Sequence, residues 1–203
     1  MKSFSELADD QIISATIQAL KNNNIEAVVV ENAGKAKEKV LEILPEGAEV
    51  MNMSSVTLET LGLDKEINES GRYDAVKPKL ARMDRETQSI EMQKLGSAPV
   101  WAVGSVQAIT ESGQVIIASN TGSQLPAYAY GSAHVIWVVG TQKIVKNLDE
   151  GMKRIYDFVL PLETEHMQNL YKMNSNVSKL LIINKEFIAG RLTVIFVKEK
   201  LGF

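Results

Sequence analysis

The 203-residue chain sets 22 Lys and Arg against 25 Asp and Glu, for a formal charge of -3, and that balance excludes broad affinity for polyanions, which needs clustered cations. Nucleic acid is therefore not an expected partner. There is no cysteine, so disulfides, thiolate metal sites and cysteine-ligated iron–sulfur clusters fall outside the chain's own chemistry, and His134 and His166 are too far apart in sequence to suggest a metal site.

A hydrophobic content of 45% with 23% charged residues suits one sizeable core, and the length favours a single domain over residues 1–203. MKSFSELADD lacks the apolar stretch of a signal peptide, and no later apolar run nears the roughly 20 residues of a spanning helix. The expectation is a cytoplasmic protein with no membrane span.

In chain order, Leu7, Ile13, Ile17 and Leu20 recur at near-helical spacing, with Ser3 and Ser5 as alternative caps and Asn22-Asn23-Asn24 as the stop. Ile25 to Val30 reads as a buried strand. Asn32 caps a second helix with Ala36, Val40 and Ile43 on one face, and Pro45-Glu46-Gly47 ends it. Ala48 to Met53 is a further strand. Uniformly apolar strands alternating with helices imply a parallel sheet covered on both faces.

Ser54 or Ser55 then opens a helix, with Glu59 placed to help satisfy the first turn. Capping is the simpler role for this pattern; holding an anionic ligand group on the free N–H groups is the compatible alternative. Between Leu61 and Ala98, Gly62, Asn68-Glu69-Ser70-Gly71 and Pro78 break the chain, and Asp84 to Leu95 reads as a helix with Ile90, Met92 and Leu95 inward. Arg72, Tyr73, Lys77, Lys79, Arg82 and Arg85 read as surface decoration, or alternatively as a lid or a contact in a homo-oligomer.

Trp101 to Gln142 alternates short apolar runs with Gly, Ser, Thr and Asn: strand, turn, strand, glycine-bearing loop, short helix, buried strand. Glu111 sits at the first turn with Ser112 and Gly113. There it is either a plain turn residue facing water or a carboxylate aimed into a cleft, able to attack an acyl group or take a proton. Asn120, Thr121, Gly122, Ser123 and Gln124 either present donors to a carboxylate or phosphate or form an ordinary loop with Ser123 as cap. Gly104-Ser105 is either a second ligand-facing turn or a bend. His134 reads as a core-edge residue, and Tyr128 and Tyr130 cannot share one helix face.

Leu148, Met152, Ile155 and Val159 mark a helix that Pro161 interrupts or redirects, and Glu163 to Met173 continues as a second piece bearing His166. Leu180 to Ile183 and Thr193 to Val197 close the chain as strands. Their hairpin-like spacing around Asn184 to Gly190 suggests an antiparallel addition at one sheet edge.

Two blocks carry a family resemblance. Ser54-Ser55-Val56-Thr57-Leu58-Glu59 with Gly62, and Val106 to Gly140 with Ala108-Ile109-Thr110-Glu111-Ser112-Gly113, resemble in order and spacing the two blocks of the LUD family, the lactate utilization protein C-like proteins. The resemblance implies a three-layer α/β/α fold with a mostly parallel sheet, of the NagB/RpiA/CoA transferase-like kind. It also implies two site roles. Glu111-Ser112-Gly113 is similar to the turn that supplies the glutamate nucleophile of coenzyme A transferases, and Ser54-Ser55-Val56-Thr57 stands where the sugar-phosphate isomerases bind phosphate. The early loop departs from the isomerases, with Asn52-Met53 where they have glycines.

Lactate utilization proteins work with iron–sulfur subunits, so this cysteine-free chain resembles the small cluster-free component. An iron–sulfur protein is then the implied partner and a small anionic metabolite the implied ligand. No covalently bound cofactor is expected; a CoA ester or phosphate-bearing ligand fits the resemblance. The two functions in view are an accessory, anion-binding role in organic-acid utilization and an enzyme of acyl or CoA transfer, or of sugar-phosphate isomerisation, that uses Glu111.

Overall fold

A computed structural model describes residues 4–203. The chain begins with α1 (Asp10–Asn22), β1 (Glu26–Val30), α2 (Ala33–Ile43), β2 (Glu49–Asn52), α3 (Val56–Thr60), α4 (Leu63–Glu69), β3 (Asp74–Ala75), α5 (Val76–Ala81) and α6 (Ser89–Ser97). It continues through β4 (Trp101–Gly104), β5 (Ala108–Thr110), β6 (Val115–Ser119), a π-helical turn Ala127–Gly131, β7 (His134–Gly140), a 3-10 turn Thr141–Lys143 and β8 (Ile144–Val145). The last part is α7 (Leu148–Arg154), a π-helical segment Ile155–Val159, α8 (Leu160–Tyr171), β9 (Lys179–Ile183) and β10 (Leu192–Val197).

Six strands in the order β1-β10-β7-β4-β2-β3 form the main sheet, and every pairing within it is parallel. β7 shows why the sequence commits to it. Val135, Trp137 and Val139 belong to the core on one face, Ile136 and Val138 to the core on the other, so each pleat of the strand is buried. Val40, Leu58 and Leu63 from α2, α3 and α4 complete the second face. Ile13 and Leu20 of α1 cover the first together with Ile109, Val115 and Ile117 of a second sheet, ordered β8-β5-β6-β9. The outer side of that sheet, through Ala108, Ile116 and Val145, packs with Ile155. The result is the three-layer, mostly parallel α/β arrangement, with the small sheet sharing a layer with α1.

Several local expectations are corrected. Asp9 caps α1, its carboxylate accepting from the Ile12 amide at 2.8 Å; Ser5 precedes that cap, and Ser3 lies outside the described residues. Leu7 likewise lies ahead of the helix and is exposed. Asn32 does cap α2, its Oδ1 accepting from Lys35 N at 3.0 Å. α6 starts at Ser89, and Ile90 points outward with 61% exposure, because this short helix buries none of its residues. β9 and β10 do not pair as a hairpin. β9 runs antiparallel to β6 at the edge of the small sheet, whereas β10 enters the middle of the main sheet between β1 and β7.

Pro161 neither ends nor breaks its helix. Immediately before α8 the backbone widens into the π-helical segment, and α7 through α8 runs on from Leu148 to Tyr171.

The β5–β6 turn is pinned by close backbone packing. Gly113 has φ +80°, and a Cβ there would stand 2.8 Å from the backbone of Ala19 and Leu20 in α1. Asn23 Nδ2 donates to the carbonyls of Ser112 and Gly113 at 2.9 and 3.2 Å. Gly113→Ala is expected to destabilise the fold by about 2–4 kcal/mol, combining left-handed strain with overpacking against backbone. Urea denaturation checks this; an unchanged midpoint would show that α1 yields freely.

Candidate functional site

Parallel strands deliver their C-terminal residues to one edge of a sheet, and loops leaving that edge are where polar side chains can converge without interrupting the core. β2 ends at Asn52 and leads to Ser54 and Ser55; β4 ends at Gly104 and leads to Ser105; β7 ends at Gly140 and leads to Lys143. These segments wall a cavity of about 450 Å³. Gln107, just ahead of β5, joins them, Ser119 at the end of β6 and the loop after it contribute residues up to Gln124 apart from Gly122, and α8 supplies Glu163, His166 and Met167.

Two buried cations dominate this edge. Lys143 is 3% exposed, and its Nζ donates to Ser105 Oγ at 3.1 Å and, more weakly, to Thr57 Oγ1 at 3.4 Å. Both hydroxyls already donate to carbonyls, Ser105 to Val138 at 2.7 Å and Thr57 to Leu201 at 3.4 Å, so they meet the lysine as acceptors. Burial first, and the charge of Arg154 second, lower the Lys143 pKa to about 7.

Arg154 is fully buried, with Nη1 donating to the Gln107 carbonyl at 2.6 Å and its guanidinium 5.4 Å from the Phe158 ring centre. Its Nε and Nη2 have no hydrogen-bond partner, and burial lowers its pKa to about 10. Among the described residues, no carboxylate pairs with either cation. Arg191, by contrast, is also buried but meets Glu186 at 3.2 Å.

Three further titratable groups of the cavity wall have shifted pKa values. Burial lowers the Lys77 pKa, opposed by Glu59 and Asp64. Burial raises that of Glu163, with His166 opposing and Glu59 reinforcing. The Tyr128 hydroxyl is driven up by its complete burial, and its ring meets Trp137 edge-on with centroids 5.3 Å apart.

The structure gathers Ser54, Ser55, Thr57, Ser105, Asn120, Thr121, Ser123 and Gln124 around the cavity. Ser55 occupies the N-cap position of α3 but makes no side-chain capping bond, so the simpler of its two readings does not hold. The Ser119–Gln124 loop is largely held by its own groups: Ser119 Oγ donates to Gln124 Oε1 at 2.9 Å and accepts from Gly122 N at 2.8 Å, and Thr121 Oγ1 donates to Ser123 Oγ at 3.0 Å. Gly122 is absent from the wall; its φ of +85° shapes the loop beside Lys179. Gly104 is also absent, and a Cβ there would run into the Tyr128 ring, with Cζ at 3.0 Å, so its smallness serves packing.

Glu111, Ser112 and Gly113 are not brought to the cavity. Their turn rests on Asn23 and the end of α1, just before β1 begins, whereas the cavity lies where β2, β4 and β7 finish. The hairpin thus carries the acid to the opposite edge of the sheet, where Glu111 is exposed and its amide donates to the Val145 carbonyl at 2.8 Å. The expectation that the acidic turn and the serine pair face one hollow is corrected. His134 stacks on Trp101 with ring centres 4.1 Å apart.

Sequence reasoning missed Lys143 and Arg154. The available signal was a polar trio, Thr141-Gln142-Lys143, directly after the most apolar strand of the chain. Arg154 lay hidden among the charges of an otherwise ordinary helix.

The molecule is thus an α/β protein with a polar, cation-bearing cavity at the carboxyl edge of a parallel sheet. Residues 13–197 match the LUD domain model, and the chain belongs to the LUD domain family. It is also similar in structure to a DUF162 family protein from Deinococcus radiodurans, with a TM-score of 0.59 at 12% identity over 95% of this chain and 99% of the other, a likeness of fold. No curated protein matches the chain. Among the described residues, no helix is long and apolar enough to cross a membrane, and no cluster of His, Cys, Asp and Glu is suited to a metal ion.

The lowered Lys143 pKa has a sign that can be tested. From about pH 7 up to the ordinary lysine value of 10.5, the unfolded chain binds a proton that the native chain has lost, so this group makes stability rise with pH. The corresponding rise from Arg154 begins only above about pH 10. Lys143→Met is expected to flatten the increase in melting temperature between pH 7 and pH 10, and to raise the melting temperature at the acid end. Parallel wild-type and mutant profiles would place the amine in solvent.

Proposed function

We propose that this chain binds a small organic anion, a carboxylate or a phosphate ester, in the cavity at the carboxyl edge of the main sheet. The observation that carries the reading is the positive charge gathered there: Lys143 and Lys77 line the cavity, and the fully buried Arg154, with no acid beside it among the described residues, lies against the wall through its bond to the Gln107 carbonyl. Isolated buried charge is costly, and a bound anion supplies the missing counter-charge. The hydroxyls of Ser54 and Ser55 and the ammonium of Lys77 line the same space and suit the outer oxygens of such a ligand. A volume of about 450 Å³ suits a small metabolite, or the acyl end of a CoA ester whose nucleotide stays outside.

The family's association with lactate utilization supports a 2-hydroxy or 2-oxo acid as the anion. It also supports a role as the cluster-free component working beside an iron–sulfur protein. Acyl transfer or isomerisation through Glu111 draws no support from the geometry, because that carboxylate stands at the far edge of the sheet; the carboxyls of the cavity are Glu59 and Glu163.

Thermal-shift titration with L-lactate, pyruvate, inorganic phosphate and acetyl-CoA tests the reading. At about 100 times Kd a bound anion adds about 2.7 kcal/mol of stability. The gain is expected to fall at least about tenfold in apparent affinity for Lys143→Met, since truncating one partner of a buried charge pair costs more than one decade. Absence of any shift with all four ligands would overturn the proposal.

A further inference from the structure

We propose that the Lys143 amine condenses with the carbonyl carbon of a 2-oxo acid seated in the cavity, forming an imine at Nζ and releasing one water. The inference rests on the anion-binding reading above and names the reactive class within it.

Three features of the geometry point to this chemistry. First, Lys143 forms part of the cavity wall, so its amine is sequestered from bulk water yet within reach of a bound ligand. Second, the hydroxyls beside it have committed their own protons elsewhere, Ser105 to the Val138 carbonyl and Thr57 to the Leu201 carbonyl. They therefore accept from Nζ at 3.1 and 3.4 Å. A neutral amine has two N–H bonds and one lone pair; these acceptors take both N–H bonds and leave the lone pair for an electrophile. Third, no carboxylate faces the amine to hold it protonated, while the buried Arg154 guanidinium favours the neutral form. The pKa near 7 agrees with this arrangement and keeps a large fraction of the amine nucleophilic at neutral pH.

The step balances within the cavity. The Nζ lone pair attacks the carbonyl carbon, and the carbonyl oxygen takes up a proton as nitrogen loses one, giving a carbinolamine. Protonation of its hydroxyl then expels water as the carbon–nitrogen double bond forms. Glu163 lines the same cavity, and burial raises its affinity for a proton, so it is the carboxyl suited to supply and recover that proton. A 2-hydroxy acid has the same carboxylate but no electrophilic carbon, so it binds without reacting.

The test uses the full chain with pyruvate and sodium cyanoborohydride at neutral pH, followed by peptide mapping. Reductive coupling is expected at Lys143 at least about tenfold faster than at the exposed Lys35, with L-lactate slowing it by competition. Glu163→Gln is expected to slow coupling while pyruvate still raises the melting temperature. Lys143→Met and Lys143→Gln are each expected to leave the remaining lysines labelled only at the slow surface rate.

If pyruvate and L-lactate both stabilise the wild-type fold but no adduct maps to Lys143, the imine is overturned and the anion-binding reading stands. Even labelling across the surface lysines overturns it in the same way. If neither acid stabilises the protein nor competes, the imine falls, and the anion-binding reading falls with it when inorganic phosphate and acetyl-CoA also give no shift.

Discussion

Lys143 and Arg154 are buried at the carboxyl edge of a parallel sheet with no acid to balance them, and the surrounding architecture is what makes this tolerable. Their charges are partly relieved by dipoles: carbonyl and hydroxyl oxygens accept from Lys143 Nζ and Arg154 Nη1, and the Phe158 ring lies near the guanidinium. Relief by neutral acceptors is incomplete, since Arg154 Nε and Nη2 still lack partners. Arg191, at the other edge, is treated differently. Glu186 neutralises it at 3.2 Å while its guanidinium also donates to the Tyr128 carbonyl at 2.6 Å, which makes it a fastener for the π-helical turn. One sheet therefore carries an acid-paired buried arginine at one edge and, at the other, two buried cations without an acidic partner among the described residues.

The sheet produces that division by its own polarity. Parallel strands with both faces buried need no polar side chain within their length, which displaces polar groups to the loops. Tight closures keep those loops in place. A Cβ on Gly140 would meet the Glu199 carbonyl at 2.6 Å and the Leu201 amide at 2.8 Å, so the chain after β10 lies directly against the end of β7. Gln142 Nε2 then donates to the Leu201 carbonyl at 2.9 Å, and the ring of Phe203 meets His166 of α8 at 6.0 Å. The last residues thus join two walls of the cavity that are distant in sequence.

The main features of the fold were legible because they rest on local patterns. Apolar runs at Ile25–Val30 and Val135–Val139 announced buried parallel strands, and Asn32 announced its helix start. Those signals work because each depends on a few neighbouring residues and on pleat or helix periodicity. The cap at Asp9 and the placement of β10 were not legible. The first required choosing among several competent cap residues, and the second required knowing which strands the last one would separate. At the site, the hydroxyl loops could be read from residue type, since Ser54, Ser55, Ser105 and Asn120 to Gln124 interrupt apolar runs. The position of Glu111 could not, because a hairpin reverses direction and sends its turn to whichever edge its strands point away from. Lys143 was harder to read for a related reason: the polar trio after β7 marks a loop at the strand's end, but not which of its side chains turns inward.

The five residues Ile155–Val159 stand between Arg154, which reaches the Gln107 carbonyl, and Glu163 and His166, which line the cavity. A π-turn holds one residue more than the α-helical turn it replaces, and one residue is worth about 100° of helical rotation. The bulge therefore acts as a phase adjuster: upstream of it the helix presents the guanidinium inward, and downstream it presents the acid and the imidazole. Shortening this stretch by one residue would leave the backbone free to continue as a regular helix but would swing the whole of α8 through that angle, turning Glu163 and His166 away from the cavity they line. The number of residues in this helix, which carries no loop, is therefore a matter of aim rather than of stability.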